Sequence, residues 1–359
     1  MSNKERYRIW VEGQESLPIF LQPWWLDAVC AGKEWDVLLF YEEVQQPSTE
    51  ETPQPSTEEA PQAATDVTQQ LPTEETAQPA EVAVETEEPQ PVEQEPQIRA
   101  ALPYMVSKKW RSRYISMPEL TQVGGLWLDE HHRWGAVELE HLCQNMAEQL
   151  QALDLIRYSQ DFSIGSPCIE VLYKQGWKLK KNLAYRLENL SNLDKVIDAF
   201  SKNKKRQLQK SLSLHAQRGW SGEEFCRFTY ECFKERKRQL PYSREFMLVI
   251  AQKARKHHQS EILTIRNADR EVYAAALLVW DKTRLYLMMP TFLPSHHESG
   301  ASALLVLEAI KIAREKGLRF DFAAPDDKHV LKDIKQFEPQ AVPFYTVEKR
   351  YRWWAFLVR

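Results

Sequence analysis

One short phrase occurs twice in this chain, and it constrains the fold more than any other feature. Tyr114-Ile-Ser-Met117-Pro118 is echoed by Tyr286-Leu-Met-Met289-Pro290. Upstream, Ala100-Ala101-Leu102 is echoed by Ala275-Ala276-Leu277. Each Met-Pro is followed by a glycine-bearing loop, Gly124-Gly125 in one half and Gly300 in the other, and then by a long amphipathic stretch. Three matches in register argue for a duplicated unit. Hydrophobic periodicity gives the same order in both halves. In the first, strands fall at 35–41, 98–106 and 113–117, then a helix at 136–153, a strand at 155–159, a helix at 167–175 and a strand at 177–187. After a helical lead-in, strands at 261–266, 271–280 and 284–289 precede a helix at 301–316, a strand at 318–322, a helix at 328–337 and a strand at 341–347. The expected class is α/β, with mixed sheets of the α+β kind, in two tandem domains. The first spans 1–190 and the second 191–350, followed by an aromatic tail at 351–359.

The first hairpin is interrupted. Residues 42–98 contain no Lys or Arg and fifteen acids, and they carry the near-repeat Gln46-Pro-Ser-Thr-Glu-Glu-Thr-Pro53 / Gln54-Pro-Ser-Thr-Glu-Glu-Ala-Pro61. Such a composition buries too little apolar surface to offset ordering entropy, so a disordered acidic insert is expected at 44–97. It replaces a hairpin turn, where added length costs little. The insert also hides the charge of the rest: 36 acids remain against 47 bases, about +11, although the whole chain sums to −4. A body of that sign suits phosphate-bearing partners, and equally a solvated basic surface balanced by its own acidic tether.

No run approaches the roughly 20 apolar residues of a membrane span. The first twenty residues are charged, without the apolar block of a secretory leader. The five cysteines are scattered and form no C-x-x-C pair, which points away from zinc and disulfides and toward a reducing, cytoplasmic setting. The histidine pairs at 131–132, 257–258 and 296–297 have no third ligand nearby, so no metal site is expected. No G-x-S-x-G motif is present, which fits direct transfer over a covalent intermediate.

Three places carry candidate chemistry. In His297-Glu-Ser299-Gly300-Ala301-Ser302, a glycine before a helix lets free amides approach a phosphate, or Ser299 simply caps the helix. In the basic run 201–210, Lys202, Arg206 and Lys210 share one helical face and, with Lys205, form either a phosphate-tracking arm or a charged surface helix. Asp321 ends a strand, where ligands bind on open sheets, and Asp326 and Lys328 follow closely. Asp326 reads either as a reacting-site carboxylate or as a helix cap.

The order of elements, with Gln22-Pro23-Trp24-Trp25-Leu26-Asp27, Ala101-Leu102-Pro103-Tyr104, Met117-Pro118, Lys204-Lys205-Arg206, Ser299-Gly300-Ala301-Ser302, Phe320-Asp321-Phe322 and Val342-Pro343-Phe344-Tyr345, resembles the Fem-like branch of the GNAT acyltransferases. The resemblance covers nearly the whole chain outside the insert. It implies transfer of an acyl or aminoacyl group from a phosphate-bearing donor, acyl-CoA or aminoacyl-tRNA, to an amine, with no tightly bound cofactor. On it, His297, Ser299, Gly300, Ala301 and Ser302 would hold the donor. Asp321, Asp326 and Lys328 would stand near the reacting groups, while Lys202, Lys205, Arg206, Lys210 and Tyr345 would contact substrate, tRNA among the possible partners. The family's CoA loop has Gln or Arg and Gly or Ala where this chain has His297 and Ser302. The chain also has Ala323-Ala324-Pro325 where relatives show a glycine or serine. A catalytically inactive GNAT-like protein binding RNA or a protein partner is therefore the competing expectation. Sequence alone does not choose the donor, the acceptor amine or the oligomeric state.

Overall fold

The computed structural model describes residues 1–14, 17–30, 32–42, 97–109, 111–323 and 327–353. The expected disordered insert falls almost wholly outside the described residues. By contacts the chain divides into one compact unit of Met1–Phe40 with Ile98–Arg359, and a second of Tyr41–Gln97.

Two short helices open the chain, α1 (Asn3–Val11) and α2 (Pro23–Val29), the second started by Pro23, whose missing N–H costs nothing at a first turn. Strands β1 (Glu34–Tyr41), β2 (Ile98–Lys109), β3 (Ser112–Ser116) and the two-residue β4 (Trp127–Leu128) follow. Next come α3 (Ala136–Ala152), β5 (Arg157–Phe162), α4 (Cys168–Lys174) and β6 (Lys178–Leu187). The lead-in to the second half comprises α5 (Leu193–Ala199), α6 (Lys202–Lys210), β7 (His215–Arg218), α7 (Gly222–Glu235) and α8 (Arg244–Lys256). Then β8 (Ser260–Arg266), β9 (Val272–Trp280), β10 (Arg284–Phe292), α9 (Ala301–Glu315), β11 (Arg319–Asp321), α10 (Lys328–Ile334) and β12 (Gln340–Arg350) repeat the order of the first half.

All the strands share one sheet, in the order β1-β2-β3-β5-β12-β6-β11-β10-β9-β8-β7, with β4 on β2. Its centre is an exchange. The last strand of the second repeat, β12, lies between β5 and β6 of the first, and β6 in turn pairs with β11 of the second. β6 and β12 run antiparallel from Gln340↔Arg186 to Glu348↔Lys178. The exchange reaches the cores. Val347 of β12 is buried with Tyr158, Phe162 and Trp177 beneath α3 and α4, whereas Tyr185 and Leu187 of β6 are buried with Phe320, Phe322 and the inner face of α9. Each such side chain contributes about 1.5–3 kcal/mol of burial, so each half is completed by the other's strand.

Trp25 is fully buried and donates its indole N–H to Thr121 at 3.1 Å, seating α2 as its aromatic character suggests. β5 begins and ends later than its apolar run predicts. Of the tail, Tyr351 packs on the first core and Trp353 is exposed, while Trp354 and Arg359 lie outside the described residues.

Candidate functional site

The second repeat contains a gap in its sheet. Parallel strands β10 and β11 pair at only three positions, Arg284↔Arg319, Leu285↔Phe320 and Tyr286↔Asp321. β10 then runs on to Phe292 through an irregularity between Met288 and Thr291, with Met289 at φ +47° and Pro290 offering no N–H. Parting strands at their carboxyl ends are where open α/β sheets bind ligands. Asp321 stands at that point. Its Oδ2 accepts a 2.6 Å hydrogen bond from Arg186 Nε, and its Oδ1 accepts one of 2.8 Å from the Ala323 amide. Arg186 is the cross-strand partner of Asp321, supplied by the first repeat through the strand exchange. Both side chains are buried. An ionised carboxylate has about four lone-pair sites, so Asp321 retains room for a further donor. Beside it the Tyr286 hydroxyl donates to Asp281 Oδ2 at 3.0 Å and its ring meets Phe20 edge-on at 4.7 Å; burial pushes the phenol well above its ordinary value. Gln122, Val123, Ile164, Leu183 and Phe344 complete a narrow cleft of about 40 Å³ around Arg186 and Asp321.

The corresponding gap of the first repeat is filled. β3 and β5 pair at Tyr114↔Arg157 and Ile115↔Tyr158 and then part. The glycine loop enters the opening: the Gly124 amide donates to Asp161 O at 2.8 Å, and Gly124 bridges Phe162. Gly125 has φ +70°, and a Cβ there would lie 2.4 Å from the Phe162 ring, so only glycine fits. Asp161 was not among the residues that the sequence singles out. Its Oδ1 accepts the Thr346 hydroxyl at 2.6 Å, Thr346 accepts from Asn182 Nδ2 at 2.7 Å, and burial raises the carboxyl above the usual aspartate range. The signal was present: Asp161-Phe162 and Asp321-Phe322 each stand at the end of their strand.

The residues expected to hold a donor do come together, in the turn before α9. Gly300 adopts φ +81°, Ser299 Oγ donates to His296 O at 2.6 Å and accepts from the Ala301 amide at 3.2 Å, and His297 is exposed. The last turn of α6 sits on this loop. A Cβ on Gly300 would lie 2.0 Å from the Gln207 carbonyl oxygen and 3.2 Å from Ser211 Cβ. Helix packing therefore explains the glycine. Lys202, Arg206 and Lys210 form the exposed stripe that their spacing predicts, while Lys205 Nζ is held by Asp198 O at 2.6 Å. The residue that fixes the helix is Lys204, fully buried, with Nζ 2.6 Å from Asp333 Oδ1, 3.1 Å from Gln207 Oε1 and 4.7 Å above the Phe337 ring. Asn203 Nδ2 adds a 2.7 Å bond to Gln336 Oε1.

Lys328 is exposed at the start of α10, and Asp327 caps that helix through the amides of His329 and Val330; Asp326 lies outside the described residues. Tyr345 alternates with Thr346 along β12 and so faces the other side of the sheet from Asp321. There it lines an open groove of about 510 Å³ with Ser166, Ile169, Tyr173 and Leu179. Among the described residues no cluster of His, Cys, Asp and Glu is arranged to hold a metal, and no helix is long and apolar enough to cross a membrane.

Residues 180–330 match the acetyltransferase (GNAT) domain family. No curated protein matches the sequence. Among solved structures the chain is similar to FemX, at a TM-score of 0.61 and 10% identity over 95% of each chain. It is also similar to a conserved protein of unknown function from Bacteroides thetaiotaomicron, at 0.50 and 11% over 69% of this chain and 83% of that one.

Proposed function

The chain carries a GNAT domain within a Fem-like tandem fold, and from there we propose that it is an acyl- or aminoacyltransferase acting on a primary amine at the gap between β10 and β11. The observation that carries this reading is the buried Asp321–Arg186 pair at the parting of those strands, in the repeat where, among the described residues, the loop before α9 makes no bridge into the gap. A donor approaching from the α9 side brings its carbonyl carbon into the gap, and the acceptor enters from the face that carries Asp321. The amine nitrogen bonds to that carbon while the bond to the leaving thiol sulfur or ribose oxygen breaks. The proton lost by nitrogen passes to the leaving group. Asp321, already fixed by Arg186 and the Ala323 amide, is placed to accept an N–H of the neutral amine and orient its lone pair toward the carbonyl carbon, a positioning effect of the kind that lowers acyl-transfer barriers.

Of the two donors, the geometry favours aminoacyl-tRNA. A CoA pyrophosphate on the α9 amides would meet the last turn of α6, whereas the Lys202, Arg206 and Lys210 stripe is open to a polynucleotide. The same seating of α6 favours, as a second reading, a binding protein without turnover. Incubation of the full chain with labelled acetyl-CoA and, separately, charged tRNA, each with and without a panel of primary amines, separates these cases. Transfer that falls at least about 100-fold in Asp321→Asn, with donor affinity unchanged, supports the enzyme. Donor binding without turnover supports the second reading, and binding of neither donor removes the first.

A further inference from the structure

A second basic surface lies apart from the α6 stripe, where α8 ends. Lys253, Arg255 and Lys256 occupy its last turn, His257 caps it, and His258 follows at φ +56°. All five are exposed. One or two cations at a helix carboxyl end are expected, since they offset its partial negative charge. Here five basic residues fall within six positions, and among the described residues none of them is ion-paired. Burial, and then the charges of Lys256, Lys253 and His258, lower the pKa of His257. Like charges held this close are an uncompensated cost in the free protein.

The aromatic groups give the patch its chemistry. His257 lies flat on Trp24, with ring centroids 4.7 Å apart and planes inclined by 11°. Trp24 is itself buried and braced edge-on by Trp25 at 5.7 Å. The imidazole is therefore a rigid plate, its inner face covered by indole while the residue remains exposed. Cations around a stacking plate are the combination that binds single-stranded nucleic acid, in which phosphates take the charges and a base takes the ring. An acidic peptide or a lipid surface would use the cations and leave the plate idle.

We propose that the end of α8, with His257 stacked on Trp24, is a binding surface for single-stranded or looped RNA. It does not depend on acyl transfer, and a protein without turnover would bind in the same way. Fluorescence anisotropy with a labelled mixed-sequence RNA oligonucleotide, using the full chain at several salt concentrations, tests it. Lys253→Gln/Arg255→Gln/Lys256→Gln should weaken binding at least tenfold and lower the slope of log K against log salt by about 2, at roughly 0.7 for each phosphate no longer neutralised. His257→Ala should weaken RNA binding about 5-fold or more, the low end of one lost base stack, and leave heparin binding unchanged. Since all four side chains are exposed, a thermal melt matching the parent confirms an intact fold. Three results overturn the proposal: no RNA binding at low salt, an α8 triple variant that binds like the parent, or a His257→Ala variant that loses nothing for RNA. Preferential binding of anionic vesicles with none of RNA would also do so.

Discussion

Replacing Asp321 with alanine tests the link between the strand exchange and the site. The carboxylate is 5% exposed and its partner Arg186 11% exposed, with 2.6 Å between Nε and Oδ2. Removing the acid leaves a guanidinium buried without its anion, which costs about 3–5 kcal/mol in comparable buried pairs. It also leaves the Ala323 amide without its 2.8 Å acceptor, a loss of about 1–3 kcal/mol when a buried donor is orphaned. The two losses overlap, since relaxation around one exposes the other, so about 4 kcal/mol is expected in total. Arg186→Met should cost about 3 kcal/mol, because Asp321 then stays buried with one donor. The double variant should fall well short of the sum, with a coupling of at least about 2 kcal/mol, because residues sharing one network are not additive. Urea unfolding, with the slope checked for constancy, gives each value. A cost below about 1 kcal/mol for Asp321→Ala, or additivity in the double variant, would refute the claim that this pair joins the repeats.

Three further outcomes follow from the geometry. Gly300→Ala places a methyl 2.0 Å from the Gln207 oxygen at φ +81°, so a loss of about 2–3 kcal/mol and faster amide exchange across 202–210 are expected; unchanged exchange there would mean that α6 is not seated on the loop. Gly125→Ala meets the Phe162 ring at 2.4 Å and should lower the urea midpoint by a similar energy, since neither the ring nor the left-handed backbone accommodates it. Asp161 is raised by burial, so the native state holds its proton more tightly than the unfolded chain. That stabilisation is complete at low pH and declines as pH rises from the ordinary aspartate range to the raised native value. Asp161→Asn should remove this decline and be at least as stable as the parent at pH 7; a variant with the parental pH profile would contradict the assignment.

Much of the plan was readable along the chain because it rests on local pattern. The apolar runs Trp35–Tyr41 and Ala274–Val279, the amphipathic period of α3 and α9, and the glycine before α9 each depend on neighbours in sequence. The basic face Lys202, Arg206, Lys210 is likewise a matter of helical spacing, and it is exposed as expected. Other features were hidden because their partners are distant. Nothing around Lys204 distinguishes it from Lys202 or Lys205, yet Asp333 and Phe337 make it the buried residue of the run. Asp161 sits in an unremarkable strand until Thr346 and Asn182 close over it.

The linear order of residues therefore sets two repeats, their element types, an acidic interruption and the sign of the remaining charge, since each follows from composition or from periods of two and 3.6 residues. Folding in three dimensions settles which strand completes which half, that the Gly124 loop enters the gap of the first repeat, and that α6 rests on Gly300. Those outcomes arise from contacts between segments distant in the chain, such as Arg186 with Asp321, and no local periodicity encodes which surfaces will meet.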